Sequence, residues 1–503
     1  MTAIDHASRT IAVPARTPLP LWAVGLGVAG ASVSAVGLGT PSYWGDEAAS
    51  VMSASRPLWS LWAELAHIDA VHGLYYLALH FWIEAFGTSE AATRLPSVIA
   101  AGFAIAGTVV LGTELLGLRR GIIAGVIVAV LPELTRMAIE TRSYAFAIAA
   151  AVWLTWLLVR MVRRRESRRW VWMGYAVATA LSIYLFLYLA FMLLVAVVVV
   201  LVEHPPRSVV RSWARAIVVV AVVTAPFVVV AIGEQQQIAF LANRDYVTFN
   251  NIVVRQWFGH PLAATLGWSL ILVGFALTLA GRHVLGMTEM RAMGIIAGWL
   301  VAPTLLLVVG NAVHPMYNMR YVAFCVPAVA MAVAVGIDRL ADLARVPSLR
   351  KGLVVVLIGA VLAACVPSYL GQRTPYSKDG GSDLRLIATT IDAHAKAGDA
   401  VVFDSSVVPR RKPRLALDLY PNDFAGLTDV ALLTSYVDRQ SLWDRVSTVD
   451  SAVEPLLGHL TVWAVESNHS ASTDLEALER IGYTVVDTLP LHRTTIYELR
   501  RAL

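Results

Sequence analysis

The sequence predicts an α-helical polytopic membrane protein with a small α/β domain at its C-terminal end. Three observations predict it. Of 503 residues, 57% are hydrophobic and only 15% charged, and mean hydropathy is +0.64; a soluble surface of this size needs far more charge. The charges fall in short clusters between long apolar runs. Beyond residue 370 the apolar runs stop, and short strand-like and helix-like segments alternate.

Residues 1–20 are polar, with Arg9 and Arg16, and are expected on the cytoplasmic side. The run at 21–39 is long enough to span and lacks a small-residue cleavage site after it, so it reads as a retained first helix. Further runs lie at 95–117, 121–139, 144–162, 170–202, 216–232, 264–281, 292–310, 321–337 and 352–370. The run 170–202 exceeds one span and is expected to turn near Tyr184–Tyr188. The transmembrane domain, 21–370, then has about eleven spans of roughly 17–23 residues.

Residues 73–87 are apolar, short and aromatic. If they crossed the membrane, Arg119–Arg120 and the run from Arg163 to Arg169 would fall outside. If they form an interfacial helix, all the arginine clusters, including 207–215, 282–291 and 339–351, fall inside. The second arrangement satisfies the positive-inside rule. It also accounts for the net charge of +5 without nucleic-acid binding. Lysine occurs only at 351, 378, 396 and 412, an arginine bias suggestive of a GC-rich bacterial genome. Cys325 and Cys365 lie in apolar runs and read as small buried hydrophobes.

The external segments become 40–94, 140–143, 233–263, 311–320 and everything after 370. In the last, GQRTPYSKDGGSD reads as a polar linker within an extracytoplasmic α/β domain, 371–503. There DLRLIATTIDAHAKAG suits a helix, DAVVFDS, DVALLTSY and LTVWAVES suit strands, DLEALERIGY a helix, and YTVVDTL with TTIYELR a closing strand pair. No glycine-rich phosphate loop opens a helix in it, which favours a supporting or acceptor-docking role over a second enzyme.

Polar residues gather at one end of the spans. Tyr43-Trp44-Gly45-Asp46-Glu47 opens the first external loop, 40–94, and His67, Asp69 and His72 follow. Glu140, Arg142 and Tyr144 lie at the third-to-fourth helix junction, and His314, Arg320 and Tyr321 open the tenth span. Ionisable groups at membrane depth are costly and mark function. The plainer alternative is a belt of Arg and Tyr reaching to lipid headgroups. The Arg410, Arg411, Lys412, Arg414 patch reads as a solvated helix start.

These patterns resemble the GT-C superfamily of integral-membrane glycosyltransferases, in its family 39 branch, which includes protein O-mannosyltransferases and the lipid A aminoarabinose transferase. Gly45-Asp46-Glu47 is similar to the family's Asp-Glu pair. His72-Gly73-Leu74-Tyr75-Tyr76 resembles its His-Pro-Pro-Leu-Tyr-Tyr stretch, with Gly-Leu in place of the prolines. Glu90–Pro96 resembles the segment that follows, Glu140-Thr141-Arg142-Ser143-Tyr144-Ala145 a Glu-x-Arg-x-Tyr-Ala stretch, and Arg320-Tyr321 a late Arg-Tyr pair. The likeness covers residues 20–340.

The resemblance implies a GT-C fold in a bacterial inner membrane, with the active face toward the periplasm. It implies transfer of a sugar, mannose or arabinose favoured, from a polyprenyl-phosphate donor to a hydroxyl of an envelope glycan, glycolipid or protein. Asp46 is then the expected base, and Glu47 orients the acceptor or tunes Asp46. Glu140 binds sugar hydroxyls or helps hold a divalent cation, Mg²⁺ or Mn²⁺, a need the sequence leaves open. Arg142 and Arg320 are expected on the phosphate, as a guanidinium fork suits its oxygens. His72, Tyr75, Tyr144, His314 and Tyr321 are expected to contact the substrate. A transporter or flippase would need charges within spans; a non-enzymatic scaffold would need only the C-terminal domain.

Overall fold

The computed structural model describes residues 21–281 and 286–502; residues 1–20, and the stretch 282–285 of one arginine cluster, lie outside them. Two apolar helices, α1 (Leu21–Ala35) and α5 (Glu90–Leu116), frame the first long loop. Between them run α2 (Gly45–Ser55), α3 (Leu58–Leu65) and α4 (Gly73–Phe86). Residues 73–87 are thus helical as expected, with α4 packed against α2. The Ser89 hydroxyl accepts the Ala92 N–H to start α5, an N-cap worth about 1 kcal/mol.

The helices α6 (Leu118–Val130), α7 (Pro132–Met137), α8 (Tyr144–Arg163), α9 (Arg169–Leu185), α10 (Met192–Glu203) and α11 (Arg207–Gly233) follow. The long run 170–202 breaks where expected: Phe186 is extended, and a 3-10 turn at Leu187–Phe191 restarts the chain. Then come α12 (Pro261–Ala280), α13 (Met287–Val313), α14 (Val326–Asp342, entered through a 3-10 turn at Met319–Cys325) and α15 (Pro347–Gly371). Among the described residues seven helical segments are long and apolar enough to cross a membrane, by length and composition. Shorter rods, α1, α6, α9 and α10, occupy the positions of the other expected spans.

Helix α14 is the axis of this bundle, with every residue from Val326 to Asp338 buried. Its run of Ala, Val and Gly suits that place, since helices in lipid associate by close packing rather than by expulsion of water. At Gly336 an added Cβ would stand 2.0 Å from the Leu270 carbonyl oxygen of α12.

Arginines gather at one end of the bundle. Arg120 bonds Glu289 and Asp338, Arg119 and Arg350 also face Asp338, and Arg163 and Arg291 share Glu203. Four of the five clusters that the positive-inside argument assigned to one side, all but 207–215, thus contribute to ion pairs at this end.

The C-terminal region contains α16 (Leu384–His394), β1 (Ala400–Phe403), α17 (Leu415–Leu419), β2 (Thr428–Asp429), β3 (Leu432–Thr434), β4 (Arg445–Val446), α18 (Val453–Leu456), β5 (Thr461–Ser467), α19 (Asp474–Arg480), β6 (Tyr483–Pro490) and β7 (Thr494–Arg501). A mixed sheet runs β2-β1-β5-β7-β6, with β1 parallel to both β2 and β5, and β6–β7 antiparallel. The stretch DVALLTSY forms two short strands, not one.

This domain does not hang on a linker. Residues 372–381 form turns, and Lys378, Ser382 and Asp383 are buried. Leu384, Ile387, Phe403 and Trp463 share one hydrophobic core with Tyr43, Val51, Met52, Tyr76 and Leu79 of the first loop. The fully buried Arg56 pairs with Glu64 at 2.9 Å and donates to the carbonyls of Arg439 and Ser441. Composition alone made 371–383 look solvated; instead Lys378 bonds the Ile139 carbonyl, Ser382 the Tyr43 carbonyl, and one Asp383 oxygen accepts from Arg493 and Thr494 inside the protein.

Candidate active site

Asp46 stands in the first turn of α2, where the helix N-terminus favours negative charge. One of its carboxylate oxygens takes a hydrogen bond from Arg320 at 3.1 Å. The same guanidinium group lies 4.0 Å from Glu140 and packs over the rings of Trp44 and Tyr144, at 4.9 and 5.6 Å. Tyr321, next in the chain, stacks on Tyr188 with ring centroids 4.4 Å apart. The stack fixes the turn that delivers Arg320.

Arg142 is buried on the other side of Asp46. Among the described residues it makes no ion pair; it donates to the Tyr76 hydroxyl at 3.3 Å, which in turn donates to Asp69 at 2.8 Å. Its Nε is buried without a partner. Burial works against the Arg142 cation, but Tyr76 and Asp46 outweigh it and raise its pKa further. Burial would raise the Asp46 carboxyl, yet Arg320, then Arg142, holds it below the ordinary carboxylate range. Burial, then the charge of Arg142, pushes His72 down to about 4. At neutral pH His72 therefore offers an uncharged ring.

These groups open on a cavity of about 1020 Å³. Asp46, His72, Arg142, Tyr144, His314, Arg320 and Tyr321 line it. One flank is apolar, with Phe186, Phe191, Val228 and Ile232; the other is polar and includes Glu234, Arg244, Arg410 and Trp443. Seven of the ten expected site residues thus meet at one cavity, where an apolar flank adjoins fixed charges.

Three do not line it. Glu140 is buried beside Arg320, with one oxygen lacking a hydrogen-bond partner. Tyr75 is buried against Phe146. Glu47 points away from Asp46 into a fully buried clamp: Arg94 grips it through two bonds, at 2.8 and 2.7 Å, the Thr141 N–H donates at 2.9 Å, and Lys378 stands 3.1 Å away. Burial opposes ionisation of Glu47, but Arg94, then Lys378, holds its pKa down to about 2.

Sequence reasoning left several contributors unassigned. Arg94, a charge within an apolar helix, was the strongest available signal, because such a charge requires a partner. Lys378 was hidden by its polar surroundings. Nor does the patch at 410–414 start a solvated helix: Arg410 and Arg411 line the cavity, and Arg414 is buried against Asp429 and Asp444. At Gly45 an added Cβ would stand 2.2 Å from the Arg410 carbonyl oxygen, so the glycine lets the C-terminal domain close directly over Asp46.

Among the described residues no group of three or more Asp, Glu, His or Cys side chains is arranged to hold a metal ion. The space between Asp46 and Glu140 is already occupied by the Arg320 guanidinium. This donor set does not fit a divalent cation.

The family model described as dolichyl-phosphate-mannose-protein mannosyltransferase matches residues 73–231. ArnT from Cupriavidus metallidurans, solved bound to undecaprenyl phosphate, aligns over 95% of this chain and 98% of its own, with a TM-score of 0.59 and 15% identity. Its apo structure aligns over 95% and 97%, with a TM-score of 0.58 and 14% identity. No curated protein matches the chain in sequence. The structural likeness bears out the GT-C fold expected from the sequence.

Proposed function

Starting from a chain with the GT-C fold, we propose that it is a glycosyltransferase that moves a sugar from a polyprenyl-phosphate donor to an acceptor hydroxyl. We place this reaction at the outer face of a bacterial inner membrane. The observation that carries the proposal is the convergence of a cavity-facing carboxylate, Asp46, with Arg142 and Arg320 where an apolar flank meets a polar one. A long prenyl chain suits the flank of Phe186, Phe191, Val228 and Ile232. That seat presents its phosphate to the arginines. The undecaprenyl phosphate bound by ArnT supports the same class of donor.

In the reaction the acceptor oxygen bonds to the anomeric carbon as the bond from that carbon to the phosphate oxygen breaks. The acceptor proton passes to Asp46. Polyprenyl phosphate leaves with its negative charge held by Arg142 and Arg320, as preorganised cations stabilise developing charge. A single displacement of this kind inverts the anomeric carbon. In the resting cavity Arg320 keeps Asp46 acidic. A phosphate entering between the arginines competes for Arg320, so donor binding raises the basicity of Asp46 when a base is needed. Neutral His72 and the rings of Tyr144 and Tyr321 form the sugar's surroundings, and Glu140 helps place Arg320. Mannose or arabinose is the favoured sugar, and the acceptor is an envelope glycan, glycolipid or protein.

The test is transfer from a panel of radiolabelled polyprenyl-phosphate sugars to envelope acceptors, in membranes carrying the wild type or Asp46→Asn. The wild type is expected to transfer one sugar, and the variant to lose about 10²–10⁴-fold. A folded wild type that transfers no sugar from any donor overturns the proposal.

A further inference from the structure

The clamp around Glu47 contains a group the transfer chemistry does not use directly. The Lys378 ammonium enters from the segment after α15, donates to the Ile139 carbonyl at 2.6 Å and stands 3.1 Å from Glu47. Glu47 is covalently next to Asp46. Ile139 is next to Glu140, and Thr141, whose N–H also bonds Glu47, lies between Glu140 and Arg142. We propose that Lys378 is a positioning residue for glycosyl transfer, fixing the spacing between Asp46 and the segment that carries Glu140 and Arg142. The inference rests on the transferase reading for its consequence, though not for its geometry.

The choice of residue supports a specific role. The chain has only 4 lysines against 36 arginines, out of 40 basic residues, yet a lysine fills this slot. Arg94 already supplies the planar fork for both Glu47 oxygens. What remains is a narrow gap between one carboxylate oxygen and a backbone carbonyl, suited to a compact ammonium. The charged groups facing Lys378 are Glu47 of α2, Arg94 of α5 and Glu140 of the loop between α7 and α8. Burial, opposed by Glu47, brings its pKa down to about 8 from the ordinary 10.5. The Lys378 charge is therefore lost just above neutrality, while Arg94 and Glu47 stay ionised.

The sign of this shift separates positioning from stability. Between about 8 and 10.5 the unfolded chain binds the lysine proton and the fold does not, so the contribution of Lys378 to stability rises with pH. Turnover that falls in that window is not lost by unfolding at this site.

The experiment compares wild type, Lys378→Met and Lys378→Arg in proteoliposomes, with kcat and donor KM followed from pH 6 to 10. In parallel, hydrogen exchange of residues 139–144 and 45–50 is measured without donor. The Met variant is expected to lose about tenfold in kcat with donor KM within about twofold, and to exchange about tenfold faster at Thr141. The Arg variant, which does not titrate but is too broad for the gap, turns over more slowly than the wild type at every pH and lacks the wild-type fall near pH 8. An unchanged alkaline limb in the Arg variant, or wild-type exchange in the Met variant, overturns the inference. The exchange arm needs no donor, so it reads the clamp even if no sugar is transferred. Should the Met variant fail to fold, the pH profiles of the other two proteins decide.

Discussion

The two ends of the helical bundle both concentrate arginine and carboxylate, yet they are built on opposite principles. At one end Asp338 faces Arg119, Arg120 and Arg350, Glu289 faces Arg120 and Arg339, and Glu203 faces Arg163 and Arg291. Charges there outnumber the gaps between them and tie α6, α13, α14 and α15 together. At the other end Asp46 bonds Arg320, Glu140 meets the same cation at the limit of contact, and Arg142 among the described residues makes no ion pair and donates to a tyrosine hydroxyl, all beside a cavity of about 1020 Å³. Charge placed to hold a fold is paired. Charge placed to meet a substrate is left partly unpaired and is supported from behind, here by the clamp of Glu47, Arg94 and Lys378.

The largest effect that would sharpen this contrast is expected from Arg320→Met. Losing a preorganised cation at the leaving group should cost about 10²–10³-fold in kcat/KM, measured per folded molecule. It also removes the strongest influence holding the Asp46 carboxyl down. Asp46 acts as a base only when ionised, so activity is lost as pH falls through its pKa. In the variant that acid limb should move to higher pH. A pH–rate profile checks both parts, and turnover within threefold of wild type would break the comparison.

At the opposite end Asp338→Asn should reverse the pattern. It leaves Arg119, Arg120 and Arg350 facing a neutral amide within a partly buried network, which costs about 2–4 kcal/mol. Thermal unfolding in detergent should shift downward while turnover per folded molecule stays at the wild-type value. A fall in kcat at unchanged stability would mean that the two ends are coupled through α14.

How much of this contrast was legible in the sequence depends on the range of the interactions. Membrane class, the break near Phe186 and the helix at Gly73–Phe86 follow from local apolar patterning. The grouping of the arginine clusters follows from the positive-inside rule, because few topologies satisfy it. Asp46, Arg142 and Arg320 were legible because charged residues at the ends of apolar runs are conspicuous. Lys378, Arg410 and Trp443 were not, since Arg410 and Trp443 reach the cavity, and Lys378 the clamp behind it, by the docking of a domain more than 300 residues from Asp46 in sequence. Composition made the segment around Lys378 read as a linker, and only its burial against Glu47 shows otherwise. Glu47 was read with Asp46 as an adjacent pair, but successive helical residues project in different directions. One faces the cavity and its neighbour faces the clamp.

The smallest expected effect tests whether the C-terminal domain belongs to the reactive end at all. Gly45→Ala would place a Cβ 2.2 Å from the Arg410 carbonyl oxygen and 2.6 Å from its Cβ. Backbone cannot yield as a flexible side chain can, so the segment carrying Val408–Arg411 must lift off α2, at about 1–3 kcal/mol of local strain. Asp46, Arg142 and Arg320 do not depend on that segment for their mutual contacts. Donor KM should therefore change little, whereas acceptor KM should rise about three- to tenfold as the polar roof opens. Steady-state kinetics with donor and acceptor varied in turn distinguish the two. Unchanged acceptor KM would assign the roof to the fold, and would place acceptor selection on the other polar lining residues, Glu234 and Arg244.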